Sequence, residues 1–297
     1  MYTLEDKTYY KLNQYVLHEL ETGEIVLQNA KGIVRINEPR LKNFVKKWDE
    51  YGNSLLPYEE FEETFGEDTK EALIFLKTYQ IIEEKVKPNL GIKRIRLYTN
   101  NPEVGLYIKQ ILETDYRHAL EISSLCDKHL ESEQIIVENG DLVVVFLNPY
   151  NRKKAREIRD RVKGFEQSFL LFTYVYNYTF YMDALYNGFL KSPCHICHIS
   201  YIESQIRISN QGNITYQHMI DSLYAERPSF PITTPLTQNN IFNIVTQITN
   251  RISKLILLDE TPVVHAEAFL ESSMFDLITK ELHTDNPIHW ELCDCYE

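Results

Sequence analysis

The chain is predicted to be an α/β protein in two parts: a winged-helix-like unit over residues 1–90 and a doubly wound domain over 91–297. Three observations predict it. Strand-like stretches precede three helical ones in the first ninety residues, strands and helices alternate beyond residue 91, and "DLVVVFL" (141–147) is an unbroken β-branched run suited to a strand buried on both faces.

In the first part, "YKLNQYVLHEL" (10–20) and "EIVLQN" (24–29) read as strands, and "GIVRIN" (32–37) follows closely enough to pair with the second. "PRLKNFVKKWDEY" (39–51) places Leu41, Phe44, Val45 and Trp48 on one helical face. "LPYEEFEETFG" (56–66) is a short helix opened by Pro57 and stopped near Gly66. A third helix is expected from Asp68 to Ile82, with Asp68 as N-cap, Glu71 completing a capping box, and Ala72, Phe75, Leu76 and Tyr79 as its apolar stripe.

Asn89 and Gly91 mark a break. Strands are then expected at 92–99 and 117–122 with a helix (103–115) between them, followed by the strand 141–147, a basic helix (151–164), and a strand (168–177) that turns back near Tyr178. "PSFPITTPLTQNN" (228–240) reads as an ordered loop, "NNIFNIVTQITNRISKLIL" (239–257) as a helix, and "FDLITKEL" (275–282) as a last strand. There is no internal repeat.

The formal charge of −12 argues against nonspecific nucleic-acid binding, which needs clustered Lys and Arg. A local exception is "NRKKAREIRDRVKG" (151–164), which reads as the solvated face of an amphipathic helix or a docking surface for an acidic partner. No apolar run approaches the ~20 residues of a membrane span, and the N-terminus is acidic and polar, so no membrane association and a cytoplasmic location are expected.

Four of the five cysteines fall in two close pairs, Cys194/Cys197 in "SPCHICHI" and Cys293/Cys295 in "HWELCDCYE". CxxC and CxC pairs are knuckles, and two of them supply the four thiolates of a closed tetrahedral zinc site. Such a site leaves no position for water and is structural. His198 is an equally good type of ligand, so a three-cysteine site completed by His198 stays open beside the simpler all-cysteine set. His195 and His289 read as hydrogen-bonded supports, and Cys126 as a small buried side chain.

From about residue 92 the order of elements, with "LVVVFLNPYNRKKAREI" and "NGFLKSPCHIC", resembles the ThiF/MoeB-type adenylating enzymes. "PCHICHI" and "PIHWELCDC", behind a winged-helix-like unit, are more similar to one branch of that fold, the zinc-containing McbB-type subunits of microcin-B synthetases. This resemblance implies a bacterial, noncatalytic scaffold subunit, commonly dimeric, that binds the leader of a ribosomally made bacteriocin precursor. It implies as partners a YcaO-type ATP-dependent cyclodehydratase and an FMN-dependent dehydrogenase, which together form thiazoles and oxazoles.

Adenylation needs glycines that let backbone approach phosphate and a carboxylate for magnesium. Here "YTNNPEVG" offers only Gly105, and Asn148 stands where the family carries its acid, so no catalytic residue is expected. The leader would add as a strand to the edge of 32–37 and lie against the helix 68–82. Val34, Arg35, Ile36, Leu73 and Lys77 are the groove residues that the resemblance implies. Two other readings are weighed. An active adenylating enzyme lacks its phosphate loop. A winged-helix transcription factor would read DNA with "DTKEALIFLKTYQ", which has no arginine.

Overall fold

The computed structural model describes residues 9–49, 55–85, 90–117, 119–208, 214–256 and 270–296. Asn89, His118, Leu257 and residues 50–51, which close or join expected elements, lie outside them. The chain divides into two compact units: residues 1–90 with 110–121 and 253–262, and residues 91–109 with 122–252 and 263–297.

Unit 1 carries two three-stranded sheets. β1 (Tyr9–Leu12) lies between β5 (Leu55–Pro57) and β6 (Ile82–Lys85), antiparallel to both. β2 (Tyr15–Glu19), β3 (Ile25–Asn29) and β4 (Gly32–Ile36) form an antiparallel meander in which β4 is an edge. The expected strand 10–20 is therefore two strands in two sheets. Its inward phase switches from even positions (Tyr10, Leu12) to odd ones (Tyr15, Leu17), which a single strand cannot do. Asn13 fixes the break, donating from its main chain to the Ile81 carbonyl (2.9 Å) and from its side chain to the Gln80 carbonyl (3.0 Å).

The helices α1 (Pro39–Trp48), α2 (Tyr58–Phe65) and α3 (Thr69–Thr78) bury Phe44, Trp48, Phe61, Phe65 and Leu76 against both sheets. The helix expected over 68–82 is shorter. Asp68 makes no side-chain cap and instead pairs with Arg40, while Gln80, at φ +50°, turns the chain so that Ile81 and Ile82 enter the core from a strand.

Unit 2 is built on a seven-stranded sheet ordered β13-β12-β11-β10-β9-β7-β8. β7 (Arg94–Thr99), β9 (Asp141–Leu147) and β10 (Phe169–Tyr176) run parallel, and β9 and β10 are buried along their whole length. β8 (Glu121–Cys126) follows α4 (Pro102–Tyr116), and α5 (Arg152–Lys163) joins β9 to β10. β11 (Thr179–Met182), β12 (Ser272–Asp276) and β13 (Leu282–Asp285) extend the sheet antiparallel. The strand expected at 275–282 is the turn of that last hairpin. The Asp276 carboxylate accepts from the main-chain N–H groups of Ile278 (2.7 Å) and Thr279 (2.8 Å), and Lys280 sits at φ +68°. The strand expected at 117–122 begins only at Glu121.

Three helices complete the described chain: α6 (His195–Arg207), α7 (Tyr216–Glu226) and α8 (Gln238–Ile256). α7 has no expected counterpart. Thr215 and His218 cap it reciprocally, a device that a Ser/Thr-to-Glu/Gln search does not find. The amino ends of β7 and β9 are tied by ions. The Asp141 carboxylate, fully buried, accepts from Arg94 and Arg96, each at 2.6 Å. None of the helices described is long and apolar enough to cross a membrane.

Candidate metal centre

"CHIC" folds as the start of a helix. Cys194, in extended conformation, is the N-cap of α6, and its carbonyl accepts from the main-chain N–H groups of Cys197 (2.9 Å) and His198 (3.2 Å). Both thiols therefore sit at the positive end of a helix, which favours thiolate. The chain's last segment brings the second pair. Cys293 donates its N–H to the Trp290 carbonyl (2.9 Å), and a 3-10 turn, Asp294–Tyr296, presents Cys295.

The four ligand atoms all lie within 4.8 Å of one another, and every one of the four cysteines is buried. The closest sulfurs, Cys194 to Cys293 and Cys197 to Cys295, are 3.4 Å apart, far beyond a disulfide bond of about 2.05 Å. Hydrogen bonds from Cys194 and then Cys295 hold the Cys197 thiol far below its ordinary range, and the shared proton moves the other way on Cys194, which the bond to Cys197 pushes far up. Four thiolates at this spacing need a cation among them, so the donor set fits a metal ion.

Three further side chains surround the centre: His289, which the sequence reads only as a hydrogen-bonded support, and two cations of the basic helix, Arg159 and Lys163. Arg159, buried on α5, reaches the Cys194 sulfur (3.7 Å) and the Asp294 carboxylate (2.8 Å), and Lys163 donates to the Asp294 carbonyl (2.9 Å). His289 places Nδ1 at 3.3 Å from the Cys295 sulfur and 4.0 Å from that of Cys197. A "PIHW" preceding the CxC was the available signal.

The two histidines of the CxxC segment are supports. His195 Nδ1 meets the Asp183 carboxylate (2.7 Å), its Nε2 meets the Tyr150 hydroxyl (2.9 Å), and its ring stacks on Phe172. Burial, reinforced by Arg152 and Arg159, pulls its imidazole down to about 3, so it is neutral and Nε2 accepts from Tyr150. His198 Nε2 accepts from the Ala184 N–H (3.2 Å), which turns it away from the sulfurs and removes the ligand set that would include it. On the basic helix Arg152 pairs with Glu203, Lys154 with Glu131, and Arg159 with Asp160. Lys153, Arg156 and Arg161 are exposed while Ala155, Ile158 and Val162 are buried, as a solvated face on an amphipathic helix requires.

At the carboxyl ends of β7 and β9, where open α/β sheets place their ligands, the chain meets itself. Asn148, buried, donates to the Thr234 carbonyl (2.8 Å) and accepts from the Thr234 N–H (3.0 Å), while its own N–H donates to the Asn100 side chain (2.8 Å). Tyr150 and Ile232 exchange main-chain hydrogen bonds at 2.8 Å. Gly105 is held against β8: a Cβ there would lie 2.4 Å from the sulfur of Cys126, which is half-buried rather than fully buried. Glycine serves packing at this position, not approach to phosphate.

Of the residues expected to line a peptide groove, Arg35 and Lys77 are exposed, while Val34, Ile36 and Leu73 are core residues at 9%, 1% and 6% exposure. Placing those three outward has the phase wrong. The outward apolar residues are Ile33 on β4 and Ile74 on α3, at 69% and 64%.

A parallel-centred mixed α/β sheet, closed on itself at the carboxyl ends of its strands, carries a buried four-cysteine cluster that could hold a metal ion. A family profile described as "Microcin B17-processing protein McbB" matches residues 10–297, and the chain belongs to that family. The curated Escherichia coli "Microcin B17-processing protein McbB" is 23% identical over 171 residues, an alignment spanning 57% of each chain. Among solved structures, a chain of the "E. coli Microcin synthetase McbBCD complex with pro-MccB17 bound" matches with TM-score 0.75 at 18% identity, over 97% of this chain and 99% of that one. A chain of the "E. coli Microcin synthetase McbBCD complex" matches with TM-score 0.55, also at 18% identity, over 96% of this chain and 100% of that one.

Proposed function

We propose that this chain is the noncatalytic scaffold and leader-binding subunit of an azole-forming synthetase that modifies a ribosomally made bacteriocin precursor. The membership of residues 10–297 in the McbB family carries this reading, because it spans both units and both cysteine pairs. The curated relative processes microcin B17, and the similar solved chain belongs to a synthetase complex with its precursor bound.

In this reading zinc is held by Cys194, Cys197, Cys293 and Cys295, a closed shell that supplies folding energy and no nucleophile. Unit 1 is a winged-helix-like recognition element. β4 offers an edge to which an extended leader can add, main-chain hydrogen bonds giving affinity and the exposed Ile33, Arg35, Ile74 and Lys77 giving selectivity. Unit 2 is a ThiF/MoeB-type domain whose ligand crevice is filled by residues 229–234. A YcaO-type cyclodehydratase activates the amide in a partner subunit, a flavin dehydrogenase oxidises the ring, and the scaffold works in the cytoplasm as a homodimer.

The purified zinc-loaded chain should bind the leader peptide encoded beside it with a dissociation constant in the nanomolar to micromolar range, read by fluorescence anisotropy. No saturable binding would sink the reading. Pyrophosphate exchange with ATP by the isolated chain would instead establish an adenylating enzyme.

A further inference from the structure

A divalent ion among four thiolates leaves two negative charges in excess, and here all four cysteines are buried. Charge taken out of water needs a partner of opposite sign at close range. One approaches from the basic helix. Arg159 is buried on α5, and its Nη1 lies 3.7 Å from the Cys194 sulfur. A guanidinium stays protonated inside proteins, so it is a permanent positive charge beside the ligand set.

The carboxylate partners of Arg159 do not account for its burial. Nη1 also donates to Asp294 Oδ1 (2.8 Å), and Nε lies 2.7 Å from Asp160 Oδ1. Those two side chains are 58% and 50% exposed, against 3% for Arg159. Pairs with half-exposed carboxylates are screened by water and contribute little, too little to offset the desolvation of a guanidinium. The Cys194 thiolate is the buried anion that it reaches. Nη1 also joins the two knuckles, because Asp294 stands between Cys293 and Cys295. Without that contact the Asp294 carboxylate, 3.9 Å from the Cys293 sulfur, would set one anion against another.

We propose that Arg159 is a positioning residue of the metal centre: its guanidinium offsets the charge of the Cys194 thiolate and, through Asp294, fixes the Cys293–Cys295 turn, so that the four sulfurs hold a divalent ion tightly and stay unreactive. The assignment rests on the four-thiolate reading of the centre.

The test uses the zinc-loaded full chain. Arg159→Met keeps an apolar stem and removes the charge. It should weaken zinc binding about 10–100-fold in competition with a chromophoric chelator, the usual cost of losing an outer partner of a ligand. Cobalt in its place should still show the absorption of four sulfur ligands. When the zinc-loaded chains are treated with iodoacetamide and the peptides mapped by mass spectrometry, Cys194 should gain more in alkylation rate than the other three cysteines. Arg159→Lys restores a charge without the fork that reaches Cys194 and Asp294 together, so its zinc affinity should fall between those of the parent and Arg159→Met. This second variant carries the test if Arg159→Met does not fold. Parental zinc affinity in either variant would overturn the proposal, and so would an equal gain in alkylation rate at all four cysteines, the mark of a loosened fold. A parent chain that takes up neither zinc nor cobalt would sink the four-thiolate reading itself, and this proposal with it.

Discussion

The cysteine clamp of unit 2 and the β4 edge of unit 1 differ in what they leave unsatisfied. In the clamp the polar groups draw inward: the four ligand sulfurs lie within 4.8 Å of one another and Arg159 and Lys163 hold Asp294, while at the sheet end Asn148 and Thr234 exchange two hydrogen bonds. Among the described residues β4 pairs on one side only, with β3, and its Ile33 is exposed. Closed sites of this kind contribute stability, whereas an open strand edge is a standing template for another chain. The proposed recognition falls where the fold leaves an edge open.

The largest effect expected from breaking this contrast is at the clamp. Cys293→Ser should release the metal and cost on the order of 5 kcal/mol or more, given that structural zinc binding is worth about 10–16 kcal/mol in small zinc folds. Metal content by mass spectrometry and near-UV circular dichroism read the outcome, and a folded variant with one zinc per chain would refute the four-thiolate set. Next is Asn148→Asp. It removes the donor to the Thr234 carbonyl and buries a charge, for an expected loss of about 3 kcal/mol in urea unfolding. Unchanged stability would show that the sheet end is wetter than this packing allows.

At the open edge the effect should fall on binding and spare stability. Ile74→Glu, on an exposed helix face, should weaken leader binding about tenfold while unfolding changes by less than about 0.5 kcal/mol. The smallest effect sharpens the comparison within unit 1. Burial pushes the Asp115 carboxyl up to about 6, with Lys11 opposing. A carboxyl raised above its ordinary 3.8 supports the fold fully below that value, and the support fades as pH rises through about 6. Asp115→Asn should therefore stabilise by about 1 kcal/mol at pH 7, discounted for partial exposure, and by nothing at pH 3, in paired thermal melts.

Periodicity carried the long elements well. The stripes of α1 and α8 and the continuous apolar runs of β9 and β10 are visible because each alone must cover a core face. Short elements were harder to place. The break at Asn13, the end of α3 at Thr78 and the turn at 277–280 depend on hydrogen bonds to residues that are distant in sequence or on positive φ, and a local pattern does not encode either. The same holds for the phase of the expected groove residues. Val34 and Ile36 alternate with Ile33 and Arg35, and which set faces inward is settled by what packs above the sheet.

The sequence by itself marked the four cysteines as candidate metal ligands, because thiolates in CxxC and CxC pairs have few other uses in a chain without disulfide demand. It also fixed a single glycine, Gly105, in the stretch after the first strand of the second part and an amide, Asn148, after the buried strand, since residue types are chemical facts at single positions. The tertiary structure alone decided that Arg159 and His289 attend the sulfurs, that His195 and His198 turn toward Asp183 and Ala184, and that residues 229–234 close the sheet end. Each of these depends on where separated segments meet in three dimensions. Residue type fixes what a side chain can do, and only packing fixes what stands within its reach.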